Sequence, residues 1–368
     1  MVYKLHKALY GLKQAPRAWN KRIDNFLVQQ EFVKHKSEYG VYVKKGIEGN
    51  QLIICLYVDD LIVTGSDVKE IEVFETQMMN EFEMSDLGNL TYFLGMEFTE
   101  VAEGLVMHQM KYASDILKRF IMMNCNPSSS PAETNMKLVM NEEEEHVDPT
   151  LFKQIVGSLR YLCNSKSHIA YAVGIISRFM SGPRASHLLV AKRVMRYIKG
   201  TLQYDILFPK CLNGNSMELI AYSGADWCGD KQDWKSTSWH QFKFLNAPIS
   251  WCAKTKLIVA LSTCESEYIA GCMAVCQAVW LENILKGMEI EVKILVALFI
   301  DNKSAISLAR NRVLHGRSKH RVAKFHFLRE QVNKGSTELQ LADIFTKPLK
   351  VDKFIKLRSL IGMNEVKN

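Results

Sequence analysis

The sequence predicts an α/β (α+β) chain with mixed sheets, and three observations lead to this fold class. Apolar, β-prone runs that contain or end in acids indicate strands at 53–63, 219–227 and 294–300. Helical patterning fills 151–199 and 265–285. At 368 residues the chain also exceeds one typical hydrophobic core, so we expect two or three domains.

Composition narrows the class of protein only moderately. The formal charge of +8 suits a polyanionic partner, although charge alone favours an ordinary basic soluble protein. Nine cysteines without paired spacing indicate thiols in a reducing compartment rather than disulfides. There is no signal peptide and no apolar run that we expect to span a bilayer. These features predict an intracellular location, cytoplasmic or nuclear, without a membrane partner.

The first element of interest is the run 53–63, in which two β-prone segments flank Asp59 and Asp60. This pattern predicts a tight hairpin with both carboxylates at its tip. Adjacent carboxylates repel each other, so either a divalent cation or solvent must neutralise them. The residues alone leave a metal site and a solvated turn equally open.

Two breaks divide the chain. Residues 126–150 are rich in turn formers and acids, and a second break follows Pro209. Between them, 151–199 reads as mostly helical. Its last helix alternates apolar residues with the bases Lys192, Arg193 and Arg196. Such a basic face is either solvated surface or a surface that follows a phosphate backbone.

Beyond the second break, strand-like segments alternate with helices. We predict strands at 219–227, 242–251 and 294–300, a helix at 265–285 and a further helix from Ser304. The helix 265–285 carries one apolar stripe, and Asp301 follows the last strand directly. Carboxylates therefore stand at the ends of strands.

With these motifs in view, the chain resembles the Pol polyprotein of copia-type LTR retrotransposons, which carries a reverse transcriptase and a ribonuclease H. The resemblance begins with residues 7–19 and the Tyr-Val-Asp-Asp turn at 57–60. It continues in order over nearly the whole chain, through residues 92–97, 156–162, 193–201, 261–268, 301–305 and 341–349.

The resemblance implies a domain organisation. It consists of a partial polymerase palm and thumb at 1–125, a linker at 126–150, a mostly helical connection region at 151–212, an RNase H-like domain at 213–350 and a tail at 351–368. The implied activities are RNA-directed DNA synthesis and hydrolysis of RNA–DNA hybrids. Both use two Mg²⁺ ions held by carboxylates. The implied partners are template-primer, RNA–DNA hybrid and dNTP.

Residue roles in the polymerase half follow from the motif match. Asp59 and Asp60 match the metal-binding turn. Gln14, Pro16 and Arg17 match a segment that lies against the incoming nucleotide and the template, and Gly95 matches a block near the primer terminus. Read structurally, 14–19 is equally a helix N-terminus with Pro16 in its first turn and a core tryptophan after it.

In the second half the match assigns Glu267, Asp301 and Asp343 to three of four metal-binding acids. Without the resemblance, Glu267 and Asp343 would be read as exposed helix acids, and Asp301 as the N-cap of the next helix. Lys192, Arg193 and Arg196 are candidates for contacts with nucleic acid.

Departures from the family pattern predict impairment. Relatives carry another metal-binding Asp upstream of residue 7, so we expect an N-terminally truncated chain without independent polymerase activity. Gly224 stands where relatives have the fourth ribonuclease H acid. Asp226 lies about 6.6 Å further along the strand, too far to replace it. Residues 334–343 are also too few, by the motif spacing, to contain a strand that relatives carry before the last acid.

Three classes of function stay open on the sequence alone. The chain is an active Mg²⁺-dependent nuclease, a non-catalytic nucleic-acid-binding remnant, or a decayed element product without a selected role. We expect the catalytic activities to be impaired or absent.

Overall fold

The computed structural model describes residues 11–46, 49–134, 136, 138–210, 218–230, 232–256, 258–290, 296–310 and 343–365. Two compact units are present, one formed by Met1–Leu90 with Val279–Val292 and the other by Thr91–Ala278 with Lys293–Asn368. The predicted boundaries at 125/126 and 150/151 fall inside the second unit. They stay predictions about the polyprotein's organisation.

The first unit is an antiparallel sheet in the order β1-β2-β3-β4 with two helices packed against it. Its elements are α1 Ala15–Gln29, β1 Val33–Lys34, β2 Val41–Lys45, β3 Gln51–Tyr57, β4 Asp60–Gly65 and α2 Val68–Glu81. The helices contribute Ile23, Leu27 and Phe74 to a core that also contains Tyr42 and Ile54 from the sheet. Each such side chain, when fully buried, stabilises the fold by about 1.5–3 kcal/mol.

The second unit contains two sheets and most of the helices. Its first part comprises β5 Tyr92–Phe93, β6 Met96–Val101, β7 Gly104–His108, α3 Met110–Arg119, α4 Pro149–Leu162, α5 Ala170–Ile176, α6 Ala185–Lys199 and β8 Tyr204–Pro209. Its second part comprises β9 Leu219–Ala225, β10 Thr237–Phe244, β11 Ala247–Thr255, α7 Thr263–Gly287, β12 Ala297–Ile300, α8 Lys303–Arg310, α9 Asp343–Thr346, α10 Val351–Leu360 and β13 Met363–Glu365. The last residues of α7, from Val279, belong to the first unit.

The sheets confirm the predicted mixed architecture. One is five-stranded in the order β13-β8-β7-β6-β5, with antiparallel neighbours. The other has the order β11-β10-β9-β12, in which only the β9/β12 pair is parallel. The parallel pair brings the carboxyl ends of β9 and β12 to one edge. This edge is the setting of the second candidate site.

Two predicted elements differ in the structure. The strand predicted at 242–251 is a hairpin, because Leu245 and Asn246 both adopt left-handed φ angles, of 49° and 66°. Two such residues in a two-residue loop reverse the chain between β10 and β11. Residues 351–365 of the predicted tail contribute to the core, since Phe354 and Met363 are buried and β13 pairs with β8.

The helix α7 is the one described helix that is long and apolar enough, by length and composition, to cross a membrane. This differs from the expectation that no segment would qualify. Core helices of soluble proteins meet the same criteria, and 44% of its most apolar window is buried inside the fold. The finding is therefore weak evidence about membranes.

Candidate functional site

The predicted hairpin is present, and its tip carries both carboxylates. Tyr57 at the end of β3 pairs with Asp60 at the start of β4, so Val58 and Asp59 form a two-residue loop. We call residues 57–60 the acidic turn. All four are exposed, and neither carboxylate makes an ion pair or hydrogen bond with any described residue. Two unpartnered adjacent carboxylates are a donor set that suits a hard cation.

The segment 14–19 leads into this turn through α1. Gln14 occupies the N-cap position without a side-chain cap, Pro16 lies in the first helical turn, and Arg17 follows; all three are exposed. Trp19, one turn further on, donates a hydrogen bond of 2.6 Å from Nε1 to the Val58 carbonyl. The structural interpretation of Pro16 is confirmed, and the nucleotide contacts of this segment stay a prediction.

Gly95 has a local structural requirement. Its φ is +82°, and a Cβ at this position would collide with the hydroxyl of Tyr161. That hydroxyl donates to the Leu94 carbonyl at 2.8 Å. A side chain at Gly95 is therefore excluded both by backbone conformation and by packing. Its predicted position near a primer terminus is not needed to explain the glycine.

The basic face of α6 makes intramolecular contacts. Arg193 pairs with Glu133 at 2.8 Å, and Arg196 donates to the Asn126 carbonyl at 2.7 Å. These contacts hold the turn-rich segment that begins at residue 126 against the helix. Lys192 is exposed. The predicted contacts of these three bases with nucleic acid stay a prediction, and two of the three have structural partners.

Glu267 lies in the first turns of α7 and is 7% exposed, so the interpretation as an exposed helix acid is wrong. Its Oε1 accepts a 3.0 Å hydrogen bond from the Ala225 N–H at the end of β9. Burial, and next the charge of Asp301, raise the pKa of Glu267 to about 8. The Ala225 N–H and Lys256 act in the opposite direction.

Asp301 directly follows β12, whose last residue Ile300 is in register with Ser223 of β9. This register places position 301 beside position 224. The N-cap interpretation of Asp301 is wrong, because Asn302 caps α8 by accepting from the Ala305 N–H at 2.9 Å. Asp301 instead interacts with the Glu267 carboxyl. We call Glu267, which is buried, and Asp301, which is exposed, the acid pair.

Gly224 lies next to this pair. The space that a side chain at this position would occupy is filled by Trp239 from the neighbouring strand. Gly224 pairs with Trp239 of β10, and a Cβ on Gly224 would lie 2.7 Å from the indole Nε1. Trp239 is 1% exposed, and its Nε1 has no hydrogen-bond partner among the described residues. Because a Cβ cannot approach so closely, a side chain at 224 requires the buried indole to shift.

Trp239 also connects this position to the helix that begins with Asp343. Its ring stacks on Phe345 of α9, with centroids 5.2 Å apart and planes inclined by 13°. The side chain of Asp343 lies outside the described residues, so its predicted role stays a prediction. The predicted shortage of residues at 334–343 also falls, apart from Asp343, outside the described part of the chain.

Asp226 is engaged elsewhere. Its carboxylate accepts a short hydrogen bond from the Thr237 N–H and closes the loop between β9 and β10. Arg178 braces the same loop by donating to Asp230 at 2.8 Å and to the Thr237 hydroxyl at 2.9 Å. Burial raises the pKa of Asp226 to about 6. The loop contact gives Asp226 a structural role that the sequence did not indicate.

Lys256 is a buried cation that sequence reasoning missed. It is 6% exposed, and its Nζ donates to the hydroxyl of Ser266, the residue before Glu267, at 2.8 Å. Burial lowers its pKa to about 8, although the charges of Glu267 and Asp226 act against this. The sequence contains little indication that Lys256 is buried, because a lysine that follows a strand is usually exposed on the surface.

The donor set at the second site is incomplete for a metal ion. Oε2 of Glu267 is a buried oxygen without a hydrogen-bond partner among the described residues, which suits a hard cation. However, no group of three His, Cys, Asp or Glu side chains in the described ranges is placed to hold an ion. The acid pair therefore offers part of a Mg²⁺ site, and Gly224 adds no ligand to it.

The chain is similar in sequence to known proteins along almost its whole length. The family described as reverse transcriptase (RNA-dependent DNA polymerase) matches residues 1–134. The chain is 37% identical, over 99% of its length, to the retrovirus-related Pol polyprotein from transposon RE1 of Arabidopsis thaliana, and it covers 25% of that protein. The corresponding polyprotein from transposon TNT 1-94 of Nicotiana tabacum is 36% identical over 99% of the chain, with 28% of its own length covered.

A shorter relative is covered almost completely. The putative transposon Ty5-1 protein of Saccharomyces cerevisiae is 30% identical over 73% of this chain and 87% of its own length. Against the plant polyproteins, by contrast, the chain spans about a quarter of the relatives' length. The similarity is therefore to one portion of those larger proteins.

Proposed function

Since the chain belongs to the reverse transcriptase family of copia-type retrotransposon Pol polyproteins, we propose that it corresponds to a portion with two inherited activities. These are RNA-directed DNA synthesis, associated with the acidic turn, and hydrolysis of RNA–DNA hybrids, associated with the acid pair. Reverse transcriptases generally use divalent metal ions. Template-primer, hybrid and dNTP are the proposed ligands.

The convergence of Glu267 and Asp301 is the observation that carries the nuclease part of this proposal. The two acids come from α7 and from the end of β12, and the Ala225 N–H orients one of them. A buried carboxyl group next to a second acid at the carboxyl edge of a sheet is costly for stability, which favours a functional origin. Bound Mg²⁺ would stabilise the attacking and leaving oxygens at the scissile phosphate.

We propose that hybrid hydrolysis is impaired, because position 224 supplies no carboxylate and Trp239 fills its space. Two acids cannot enclose two cations with the geometry that this chemistry requires. The buried ammonium of Lys256 lies near the same acids and partly neutralises them without a metal. Restoring the acid at 224 without overpacking therefore requires removing the indole as well.

The test is Mg²⁺-dependent cleavage of a labelled RNA–DNA hybrid by the natural chain and by the double variant Gly224→Asp/Trp239→Gly. We expect the natural chain to cut at background rate and the double variant to cut faster. The single variant Trp239→Gly serves as the matched control, since it opens the same space without adding a carboxylate.

Two results would contradict the proposal. Cleavage by the natural chain that Asp301→Asn abolishes would show a working nuclease and refute the impairment. A correctly folded double variant that still does not cut, or that cuts equally well with Asp301→Asn added, would refute the assignment of the acid pair.

In the polymerase portion, we propose that Asp59 and Asp60 face the cation, with Gln14, Pro16 and Arg17 on the nucleotide side. The turn alone supplies two adjacent carboxylates. Positioning two ions for nucleotidyl transfer requires a further carboxylate from another strand. We therefore expect the described residues of the first unit to bind a single hard cation weakly and to extend no primer by themselves.

A second candidate function is non-catalytic binding of nucleic acid. The net charge of +8 and the exposed Lys192 favour it. If binding occurs through phosphates, the affinity for hybrid falls steeply as the salt concentration rises. The slope of log affinity against log salt concentration then reports the number of phosphate contacts. Fluorescence anisotropy at several salt concentrations, with Lys192→Ala as the variant, measures this. An affinity independent of salt would contradict it.

A further inference from the structure

We propose that Trp19 is a positioning residue for the acidic turn, because its indole N–H holds the Val58 carbonyl and thereby sets the direction of the Asp59 and Asp60 carboxylates. The proposal rests on the proposed cation-binding role of this turn. It concerns how the chain maintains the turn rather than which residues are the ligands.

The backbone of the turn is in a conformation that its sequence disfavours. Val58 has a φ of +56°, in the left-handed region that β-branched residues rarely adopt. In a two-residue hairpin loop, a positive φ at the first position is normally supplied by glycine. An observed backbone outlier of this kind persists only where surrounding contacts impose it, and such outliers cluster at functional sites.

The contact that imposes it comes from α1. The bond from Trp19 Nε1 to the Val58 carbonyl is 2.6 Å long and spans 39 residues of chain. Within the described residues, no other side chain hydrogen-bonds to the acidic turn. Packing does not hold Val58 either, because its side chain is 61% exposed.

Trp19 itself is anchored in the first unit. Its ring meets Phe82 edge to face, with centroids 5.3 Å apart, and Phe82 is buried in the core between the helices and the sheet. Ile23, one turn along α1, is fully buried. The indole therefore links the buried core to the exposed turn. Its hydrogen bond fixes the backbone of the turn relative to the core, and this sets the direction of the two carboxylates.

A purely structural role for Trp19 is the competing explanation, and substitutions can separate the two. Trp19→Phe keeps an aromatic ring against Phe82 but removes the N–H donor. Val58→Gly removes the conformational penalty at φ +56°, so the turn should no longer need the donor. Trp227→Phe is the matched control, because Trp227 makes the same kind of bond, from Nε1 to the Ala260 carbonyl at 2.9 Å, in the other unit.

The experiment uses the full chain, labelled with ¹⁵N at aspartate, and Mn²⁺ alone as the probe. The amide signals of the turn are assigned with Asp59→Asn and Asp60→Asn. We expect Trp19→Phe to shift both signals and to weaken Mn²⁺-induced broadening there by about two- to tenfold, the effect of one lost hydrogen bond. In the Val58→Gly background the same substitution should change the broadening less than about twofold, and Trp227→Phe should change neither signal.

The possible failures are distinguishable. Unchanged Asp59 and Asp60 amide signals in Trp19→Phe would overturn the anchoring by Trp19. If Trp19→Phe weakens the Mn²⁺ broadening equally in the natural chain and in the Val58→Gly background, the anchoring through the N–H donor is overturned. The effect of Trp19 would then come from the packing of its ring. If Mn²⁺ broadening is unaffected by Asp59→Asn and Asp60→Asn, the cation role of the turn fails, and the proposed polymerase assignment fails with it.

Discussion

The two carboxylate sites of this protein are built in opposite ways. Asp59 and Asp60 are neighbours in sequence and exposed at the tip of a hairpin, where water screens their repulsion. Glu267 and Asp301 are 34 positions apart and meet at a sheet edge, where Glu267 is buried and Asp301 is exposed. The first site costs little to maintain, whereas the second needs a proton or a cation. A change of one residue therefore has very different consequences at the two sites.

The largest expected effect concerns the residue that fills the second site. Trp239→Ala removes an indole that is 1% exposed and stacks on Phe345, so we expect a loss of about 3–5 kcal/mol in the free energy of unfolding of that unit. Chemical denaturation measures it. Trp234→Ala, at a position that is 55% exposed, should cost much less. Equal losses would show that Trp239 is not a packing centre.

The second largest effect is a dependence of stability on pH, which we expect from the site that contains Glu267. Since the folded-state pKa of Glu267, about 8, lies above its ordinary value of 4.5, the folded chain holds an extra proton between these pH values. The contribution of Glu267 to stability is therefore fully present below pH 4.5 and is lost as the pH rises through 8. The lowered pKa of Lys256 acts in the opposite direction only above pH 8.

Denaturation of the natural chain and Glu267→Gln at pH 5 and pH 8 checks this. We expect the natural chain to lose on the order of 3 kcal/mol more than the variant across this range. Glu265→Gln, two residues earlier on the same helix, is the control and should keep the full dependence. A natural chain whose stability is the same at both pH values would contradict the burial of Glu267 beside Asp301.

A smaller effect is expected at Gly224. Gly224→Asp alone forces a Cβ to within 2.7 Å of the Trp239 indole, and overpacking of this kind costs about 1–3 kcal/mol. In the Trp239→Gly background the same change should cost less, so the two substitutions are not additive. A double-mutant cycle measured by denaturation gives the coupling. Additive free energies would mean that the indole moves aside without cost.

The smallest effect is expected at the acidic turn. Asp59→Asn and Asp60→Asn should change the free energy of unfolding by no more than about 0.5 kcal/mol, because neither carboxylate has a described partner. Thermal denaturation in low and high salt checks this. A loss above 1 kcal/mol in either variant would reveal a structural role for the turn and remove the contrast with the second site.

Local patterns predicted much of the architecture. The hairpin at 53–63, the helices between 151 and 199 and the long helix near 265–285 are all present. The hairpin within 242–251 was missed because Leu245-Asn246 lacks the glycine that usually marks such a loop. The packing of the last residues was missed because α10 depends on burying Phe354 and Leu357 rather than on its own helical propensity.

The sequence by itself determined the family, the fold class and the acidic turn, because motif spacing and hydrophobic period are local properties of the chain. Only the tertiary structure decided that Glu267 is buried against Asp301, that Trp239 fills the space of a side chain at 224, and that Trp19 holds Val58. Each of these depends on which residues distant in sequence come within a few ångströms of each other. Burial, charge and steric exclusion act at that range, so their effect on the two sites appears only when the chain has folded.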